Sequence, residues 1–151
     1  SINQRLGLFK LSDDYLSAIE YTELFKYQGR EAPAIVKVDG LYHMLSSACM
    51  GWDPNPCKLS SSKSLTEGWS DLKQIGDDIA FDTQAASILK VKGSEGMTYL
   101  YVGDRWMDPG LPESKTIVFP VSFKDGECTF EYKPKFEMNF KTGKWRESNS
   151  N

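Results

Sequence analysis

The sequence contains few of the residues that metal sites and catalytic triads need. It has one histidine, His43, and three cysteines, Cys49, Cys57 and Cys128, among 151 residues. One histidine excludes a multi-histidine metal site and leaves a serine or cysteine triad only one choice of base. The cysteines form no Cys-x-x-Cys pair, so neither zinc nor redox chemistry is indicated, and we expect neither a metal nor a cofactor. We expect free, at least partly buried thiols, and a Cys49–Cys57 disulfide stays open for a secreted protein.

Long apolar runs and an excess of basic charge are also missing. No run approaches the roughly 20 residues of a membrane-spanning helix, so no membrane partner is expected. A net charge of −3 and a pI of about 5.2 argue against nucleic acid as a partner. What is present, 40% hydrophobic and 13% aromatic residues, is enough for the core of one globular domain.

The sequences at the two ends of the chain lead to separate expectations. The chain begins at Ser1 without a methionine and shows no signal-peptide core, so we expect a piece of a longer or processed polypeptide. We expect the folded domain to cover residues 1–145 and a polar tail to cover residues 146–151.

The pattern along the chain is that of short strands and turns, without long helical periodicity. The dipeptides Asp39-Gly40 and Asp125-Gly126 separate apolar runs, which predicts hairpins with type I′ turns. Another turn is predicted over 141–144, and the run 20–27 is apolar on both faces. Strands are predicted over 6–11, 20–27, 34–38, 41–45, 87–91, 98–102, 116–123 and 127–132.

An internal repeat gives the architecture. A shift of 53 residues lays segment 31–38 over 84–91 with identity at four of eight positions, and similar elements follow each copy. About 50 residues with about four strands is the size of a propeller blade, so we predict an all-β partial β-propeller of about two blades plus a strand of a third. Glu31 and Gln84 hold equivalent positions before the innermost strand of each blade, so both should point toward one axial site.

Two loops carry side chains suited to sugar binding. Trp52 could stack on a sugar ring while Asn55 holds its hydroxyls, or Trp52 could plug a blade interface in a rigid loop. Asp104, Arg105 and Trp106 share one bend after a strand. Asp104 and Arg105 could bind hydroxyls, or they could pair with each other and hold the loop.

Three other features have two interpretations each. Glu31 has small apolar neighbours, and desolvation of a carboxyl suits a general acid, but Glu31 could also be solvated or pair with Arg30. His43, in the middle of a strand, is more typical of a core or channel-edge histidine than of a catalyst. The segment 65–69, which ends in Trp69, is more typical of packing between blades than of a site.

Taken together, these segments resemble glycoside hydrolase family 43, and within it the exo-β-1,3-galactanase branch. The matching segments are Leu-Ser-Asp-Asp-Tyr-Leu at 11–16, Arg-Glu-Ala-Pro-Ala-Ile at 30–35, Gly-Leu-Tyr-His-Met-Leu-Ser-Ser at 40–47, Gly-Trp-x-Pro-Asn at 51–55, Phe-Asp-Thr-Gln at 81–84 and Tyr-Leu-Tyr-Val-Gly-Asp-Arg-Trp at 99–106. They run in family order from about residue 6 to 145. Met50 departs from the pattern, since relatives commonly have Thr before Gly-Trp.

The resemblance implies the C-terminal part of a five-bladed propeller that cleaves β-galactosidic bonds with inversion. It implies that Glu31 is the general acid and that Gln84 is the group proposed to activate water, although a neutral amide is a poor base. Trp52, Asn55, Asp104, Arg105 and Trp106 would then bind substrate, a galactan or related oligosaccharide. The family's other carboxylates lie on the early blades, so the missing blades, from the same or another chain, become expected partners. The resemblance also implies an extracellular or periplasmic location.

Two other functions fit the sequence as well. One is a non-catalytic carbohydrate-binding remnant of a propeller, and the other is an interaction domain that borrows blades from another chain. Turnover that depends on Glu31 would separate the enzyme from the binding module, and mass in solution would identify the interaction domain.

Overall fold

The computed structural model of the chain describes residues 5–148. Twelve strands make up this part of the chain, and its only helical element is a 3-10 turn at Leu111–Glu113. None of its helical structure is long and apolar enough to cross a membrane. The strands are β1 (Leu6–Leu11), β2 (Ala18–Leu24), β3 (Arg30–Val38), β4 (Leu41–Ala48), β5 (Cys57–Ser62), β6 (Lys73–Ile75), β7 (Gln84–Lys92), β8 (Met97–Arg105), β9 (Lys115–Lys124), β10 (Glu127–Thr129), β11 (Phe136–Asn139) and β12 (Lys144–Glu147).

Two four-stranded antiparallel sheets form the body of the molecule. Their strand orders are β3-β4-β5-β6 and β7-β8-β9-β10, so each sheet follows the order of the chain. The first strands, β3 and β7, lie side by side, and Lys90 Nζ on β7 donates to the Lys37 carbonyl on β3 at 2.8 Å. Two such sheets, joined at their first strands, are two blades, which confirms the all-β partial propeller.

Both Asp-Gly dipeptides form the predicted hairpin turns. Asp39 and Gly40 have φ values of 47° and 86°, and Asp125 and Gly126 have φ values of 51° and 84°. A two-residue turn with positive φ at both positions is the type I′ turn that suits the twist of antiparallel strands. The strand pairs β3–β4 and β9–β10 are therefore set by local sequence.

The flanking elements form two further hairpins. The strand predicted for a third blade is present as β1, and it pairs with β2 from Leu6–Leu24 to Lys10–Glu20. Strand β2 ends at Leu24 because Phe25 and Tyr27 adopt positive φ values. The predicted turn at 141–144 joins a second hairpin, β11–β12.

Two predicted boundaries also change. Strand β10 ends at Thr129, and Phe130 turns into the core instead of continuing the strand. Strand β12 includes Arg146 and Glu147 of the predicted polar tail, Ser148 follows the strand, and residues 149–151 lie outside the described part of the chain.

An aromatic core joins the two four-stranded sheets. The ring centroids of Tyr101 and Phe119 are 4.8 Å apart, and those of Phe119 and Phe130 are 5.2 Å apart. Tilted and edge-on arrangements such as these are the favourable ones for aromatic rings. The same cluster includes Val36, Leu45, Leu59, Ile88 and Val121.

A smaller apolar cluster joins the β1–β2 hairpin to the first blade. Leu6 and Leu24 pack on Met44 of β4, and Trp69 and Phe25 cover them, with ring centroids 6.0 Å apart. The Trp69 indole also donates to the Leu65 carbonyl at 3.0 Å. The segment 65–69 therefore packs between elements, as predicted.

His43 and Cys57 are buried in this fold. His43 is buried, with Nδ1 2.9 Å from Ser61 Oγ, which confirms the predicted core histidine. None of Cys49, Cys57 and Cys128 is in a disulfide, so the Cys49–Cys57 bridge left open by the sequence does not form. Burial raises the pKa of the Cys57 thiol to about 12, and it also raises the pKa of Cys128.

Candidate functional site

A cleft opens where the chain enters the first strand of each blade. It holds about 320 Å³ of space, counting the part that is open to solvent. Its walls come from the end of β4, the loop 51–55, the start of β7 and the end of β8. The lining residues are Ser47, Gly51, Trp52, Asp53, Pro54, Asn55, Asp82, Thr83, Gln84, Asp104 and Trp106.

A bulge follows each of the two repeat-related side chains. The pairing of β3 with β4 shifts register between Glu31 and Ala34, where Ala32 has a φ of 50°. The pairing of β7 with β8 shifts between Ala85 and Ser87, directly after Gln84. A bulge bends its strand and re-aims the neighbouring side chains, and this is how Glu31 and Gln84 come to face each other.

Gln84 is held by three hydrogen bonds at the base of the cleft. Its Nε2 donates to Glu31 Oε1 at 3.1 Å and to Ser47 Oγ at 2.9 Å. Its Oε1 accepts from the Trp106 indole Nε1 at 3.0 Å. The convergence predicted from the 53-residue repeat is therefore present, and Ser47 and Trp106 belong to the same network.

These partners fix which way the Gln84 amide points. An indole N–H can only donate, so the amide oxygen must face Trp106. The amide nitrogen then faces the Glu31 carboxylate, which accepts from it. Rotating the amide by 180° would set two donors against each other and the amide oxygen against the carboxylate.

Two further side chains adjoin Glu31. The Cys49 thiol hydrogen-bonds to the Glu31 carboxylate, and burial together with this carboxylate raises the pKa of Cys49. Arg30, which the sequence left open as a partner of Glu31, is buried and directs its guanidinium to Ser46 instead. Its Nε donates to Ser46 Oγ at 3.1 Å and its Nη2 to the Ser46 carbonyl, while burial lowers its pKa.

Two tryptophans form an aromatic wall of the cleft. The rings of Trp52 and Trp106 meet edge to face with centroids 5.2 Å apart. Trp52 is 49% exposed, so it does not plug a blade interface. An exposed indole beside hydrogen-bonding side chains offers an apolar surface on which a sugar ring could stack.

The other predicted ligands divide into lining and supporting residues. Asp104 lines the cleft and lies opposite Gln84 in the β7–β8 register. Asn55 also lines it, but its Oδ1 accepts from the Ala48 amide at 2.7 Å and its Nδ2 donates to the Asp53 carbonyl at 3.2 Å. Asn55 therefore holds the loop that carries Trp52.

Arg105 is the predicted ligand that the structure places outside the cleft lining. Its Nη2 donates to the Phe81 carbonyl at 2.8 Å, and its Nε donates to the Asp82 carbonyl at 3.2 Å. The Asp82 carboxylate is 3.6 Å from Nε. Arg105 thus holds a loop, as one interpretation expected, but its partner is Asp82 and not Asp104.

The fold is found in solved glycosidases. Over 99% of its length the chain matches an exo-β-1,3-galactanase from Clostridium thermocellum, with 34% identity and a TM-score of 0.94, and it covers 34% of that chain. It matches an exo-β-1,3-galactanase from Phanerochaete chrysosporium with bound galactose at 28% identity and a TM-score of 0.88, over 99% of this chain and 34% of that one. A β-1,3-galactosidase of family GH43 shows 34% identity and a TM-score of 0.75 over 87% of this chain and 39% of that chain.

The chain therefore spans about a third of the length of the first two solved structures. No protein-family model matches it, and no curated protein sequence matches it.

Proposed function

We propose that this chain, a partial propeller of the glycoside hydrolase family 43 galactanase type, carries the general-acid side of a site that cleaves β-1,3-galactan-type bonds. The observation that carries the proposal is the fixed Gln84 amide between Glu31 and Trp106, at the base of a cleft with an aromatic wall. The support for the substrate is that the Phanerochaete chrysosporium relative holds galactose in one solved structure and β-1,3-galactotriose in another.

In this mechanism Glu31 protonates the oxygen of the leaving sugar. An inverting glycosidase needs such an acid, together with a group that activates water on the opposite face of the ring. The Gln84 amide donates to Glu31 Oε1 and so fixes the carboxyl plane. Gln84 is neutral, so we assign it the positioning of Glu31 and of the attacking water, while a base on another blade takes the proton.

The test of Glu31 compares two kinds of leaving group in the full-length protein. We expect Glu31→Gln to lower the hydrolysis of β-1,3-galactobiose by roughly 100-fold or more, because the leaving sugar oxygen needs a proton. A nitrophenyl β-galactoside should keep most of its rate, since its leaving group needs little acid help. Equal, small effects on both substrates would remove Glu31 from the acid role, and Glu20→Gln, on the exposed β2, serves as the control.

Sugar binding without hydrolysis is the second candidate, and the neutral Gln84 favours it. If Gln84 positions reacting groups, we expect Gln84→Ala to lower kcat by roughly 100-fold while the Kd for galactose changes little. Titration calorimetry gives the Kd and turnover assays give kcat, and together they distinguish hydrolysis from sugar binding alone. Gln74→Ala serves as a surface control. A wild-type protein that binds galactose but shows no turnover, with affinity lost in Gln84→Ala, would identify a binding module.

We extend the proposal to location and partners. A polymeric galactan does not cross a membrane, so an extracellular or periplasmic location fits this substrate. A hydrolytic site of the proposed kind also needs the carboxylates of further blades, from the same or another polypeptide. Cell fractionation with activity assays tests the location.

A further inference from the structure

Among the three hydrogen bonds that the structure describes at the Gln84 side chain, only the one from Trp106 has a direction that its chemistry fixes. An indole N–H donates and never accepts, so Gln84 Oε1, which is 3.0 Å from Trp106 Nε1, must be the acceptor. The other two partners are adaptable. The Ser47 hydroxyl, 2.9 Å from Nε2, either donates or accepts, and Glu31 gains a donor when its carboxyl takes up a proton.

The protonation state of Glu31 therefore decides how much the Trp106 bond matters. An ionised carboxylate only accepts hydrogen bonds, so it attracts the Gln84 amide nitrogen whatever Trp106 does. A general acid, however, acts in its protonated form, and a protonated carboxyl also carries an O–H donor. In that form, Glu31 and Ser47 would both accommodate an amide rotated by half a turn, with its oxygen toward the carboxyl.

The rotated amide would hinder the proposed acid. The Gln84 oxygen would take the place of Nε2, which is 3.1 Å from Glu31 Oε1 and close to the hydrogen-bond distance of a carboxyl O–H. The acid proton would then be bound to Gln84 instead of facing the oxygen of the leaving sugar. In the observed orientation Glu31 Oε1 accepts from Nε2, so the proton of the neutral acid sits on Oε2.

The backbone on both sides of Trp106 is held, so its indole has a defined position. Trp106 directly follows β8, and the last residue of that strand, Arg105, donates to two carbonyls of the loop before β7. The amide of Met107 donates to Ser114 Oγ at 3.0 Å. The Trp106 N–H is thus in place before a substrate binds, and a preorganised donor needs no rearrangement during the reaction.

We propose that Trp106 is a positioning residue whose indole N–H holds the Gln84 amide nitrogen toward Glu31 and keeps Gln84 from accepting the acid proton. This role rests on the proposed function of Glu31 as the general acid. Trp106 then acts on the reaction through Gln84 and is not a ligand of the sugar. The exposed Trp52 remains the surface on which a sugar ring could stack.

Nuclear magnetic resonance tests the contact without any turnover. In the full-length protein, isotope-labelled at its tryptophan indoles, the Trp106 N–H signal is the one that Trp106→Phe or Trp106→Tyr removes. We expect Gln84→Ala to shift this signal and to speed its exchange with solvent at least about 10-fold, because the acceptor is lost. The Trp69 indole, which donates to the Leu65 carbonyl at 3.0 Å and does not line the cleft, should keep its signal.

Kinetics of the full-length protein test the role. We expect Trp106→Phe to lower kcat for β-1,3-galactobiose about 10-fold, the effect of one hydrogen bond, while the Kd for galactose changes less than about twofold. A nitrophenyl β-galactoside should lose much less, since its leaving group needs little acid help. In the Gln84→Ala background, Trp106→Phe should change kcat by no more than about twofold, because it acts through Gln84.

Trp69→Phe is the matched control, because it removes an indole N–H hydrogen bond outside the cleft and should leave kcat unchanged. Circular dichroism checks that each variant folds.

The outcomes separate this role from the general-acid role of Glu31. An unchanged Trp106 signal in Gln84→Ala overturns the contact. Weaker galactose binding with full kcat in Trp106→Phe identifies a sugar ligand, and equal losses on both substrates identify a merely structural residue, so either result overturns the proposal. Hydrolysis that Glu31→Gln abolishes but Trp106→Phe leaves intact overturns the Trp106 role alone. A wild-type protein without hydrolysis overturns the acid role, and the positioning role with it.

Discussion

At the scale of single residues, the burial of His43 makes the free energy of unfolding depend on pH. It is buried beside Ser61 and Phe123, and burial lowers its pKa. The unfolded chain then binds more protons than the folded one at pH values just below about 6.5, the ordinary pKa of histidine. The free energy of unfolding should therefore fall as the pH drops below this value.

Urea denaturation at pH 7.5 and pH 5.5 measures this effect. We expect the wild-type chain to lose stability between the two, and we expect His43→Gln, which keeps a polar partner for Ser61, to lose less. All other titratable groups are the same in the two proteins, so the difference between their losses reports on His43. An identical loss in both proteins would show that His43 does not couple folding to pH here.

The sequence predicts that Glu31 and Gln84 meet, but it does not predict all of the side chains that contact them. The 53-residue repeat is enough to bring Glu31 and Gln84 together. Ser47 is not predicted from the sequence. Regular antiparallel pairing that starts at the turn 39–40 and has no bulge would place Glu31 opposite Ala48. The bulge at Ala32 shifts the partner of Glu31 by one residue to Ser47, and no pattern in the local sequence predicts that shift.

At the scale of elements, the β11–β12 hairpin docks on the turn between β7 and β8. Ser94 and Glu95 donate backbone N–H groups to the carbonyls of Lys141 and Thr142 at 2.9 and 3.0 Å. The ion pair between Lys144 and Glu95 adds to this contact. The backbones come so close at Gly93 that a Cβ there would collide with Thr142 and Gly143.

Gly93→Ala should therefore separate the hairpin from the blade. We expect a loss of about 1–3 kcal/mol in the free energy of unfolding, the usual cost of inserting a group into a packed contact. Gly96→Ala is the matched control in the same turn, because a Cβ at Gly96 meets nothing within 4 Å. Thermal unfolding of both variants checks this, and equal melting temperatures would contradict the close approach.

Hairpins with short turns were predictable, and long connections were not. The Asp-Gly pairs fix β3–β4 and β9–β10 through local backbone preference. The β1–β2 hairpin has a six-residue connection whose geometry depends on Asp14, which accepts from Ser12 and the Leu16 amide. Such local hydrogen bonds do not show in hydrophobic periodicity, so only the strands and not their pairing were predicted.

At the scale of the whole molecule, the two blades leave apolar surface at both ends of the arc. One end is the face of β1–β2 that carries the exposed Phe9 and Tyr21, and the other is the outward face of β7-β8-β9-β10. Leu89 and Val118 are exposed on that outer face, while Ile88 and Phe119 on the opposite face are buried. Blades rely on neighbours to cover such faces, so we expect the isolated chain to be marginally stable.

This arrangement predicts how the isolated chain associates. We expect association at high concentration through the outer face of the second blade, and we expect no hydrolysis of β-1,3-galactan. Light scattering should show smaller particles for Leu89→Lys with Val118→Lys, while Lys92→Glu, also on β7, serves as the control. A stable wild-type monomer that cleaves the polymer would contradict this prediction.

The edge-to-face contact of Trp52 and Trp106 also gives the cleft an optical signature. These two indoles, 5.2 Å apart, are half of the four tryptophans in the chain. The transition dipoles of two indoles this close couple. We therefore expect a paired circular dichroism signal and energy transfer between the two rings. A molecule bound against the exposed Trp52 indole would alter this coupling, so we expect the unlabelled chain to report occupancy of its own cleft.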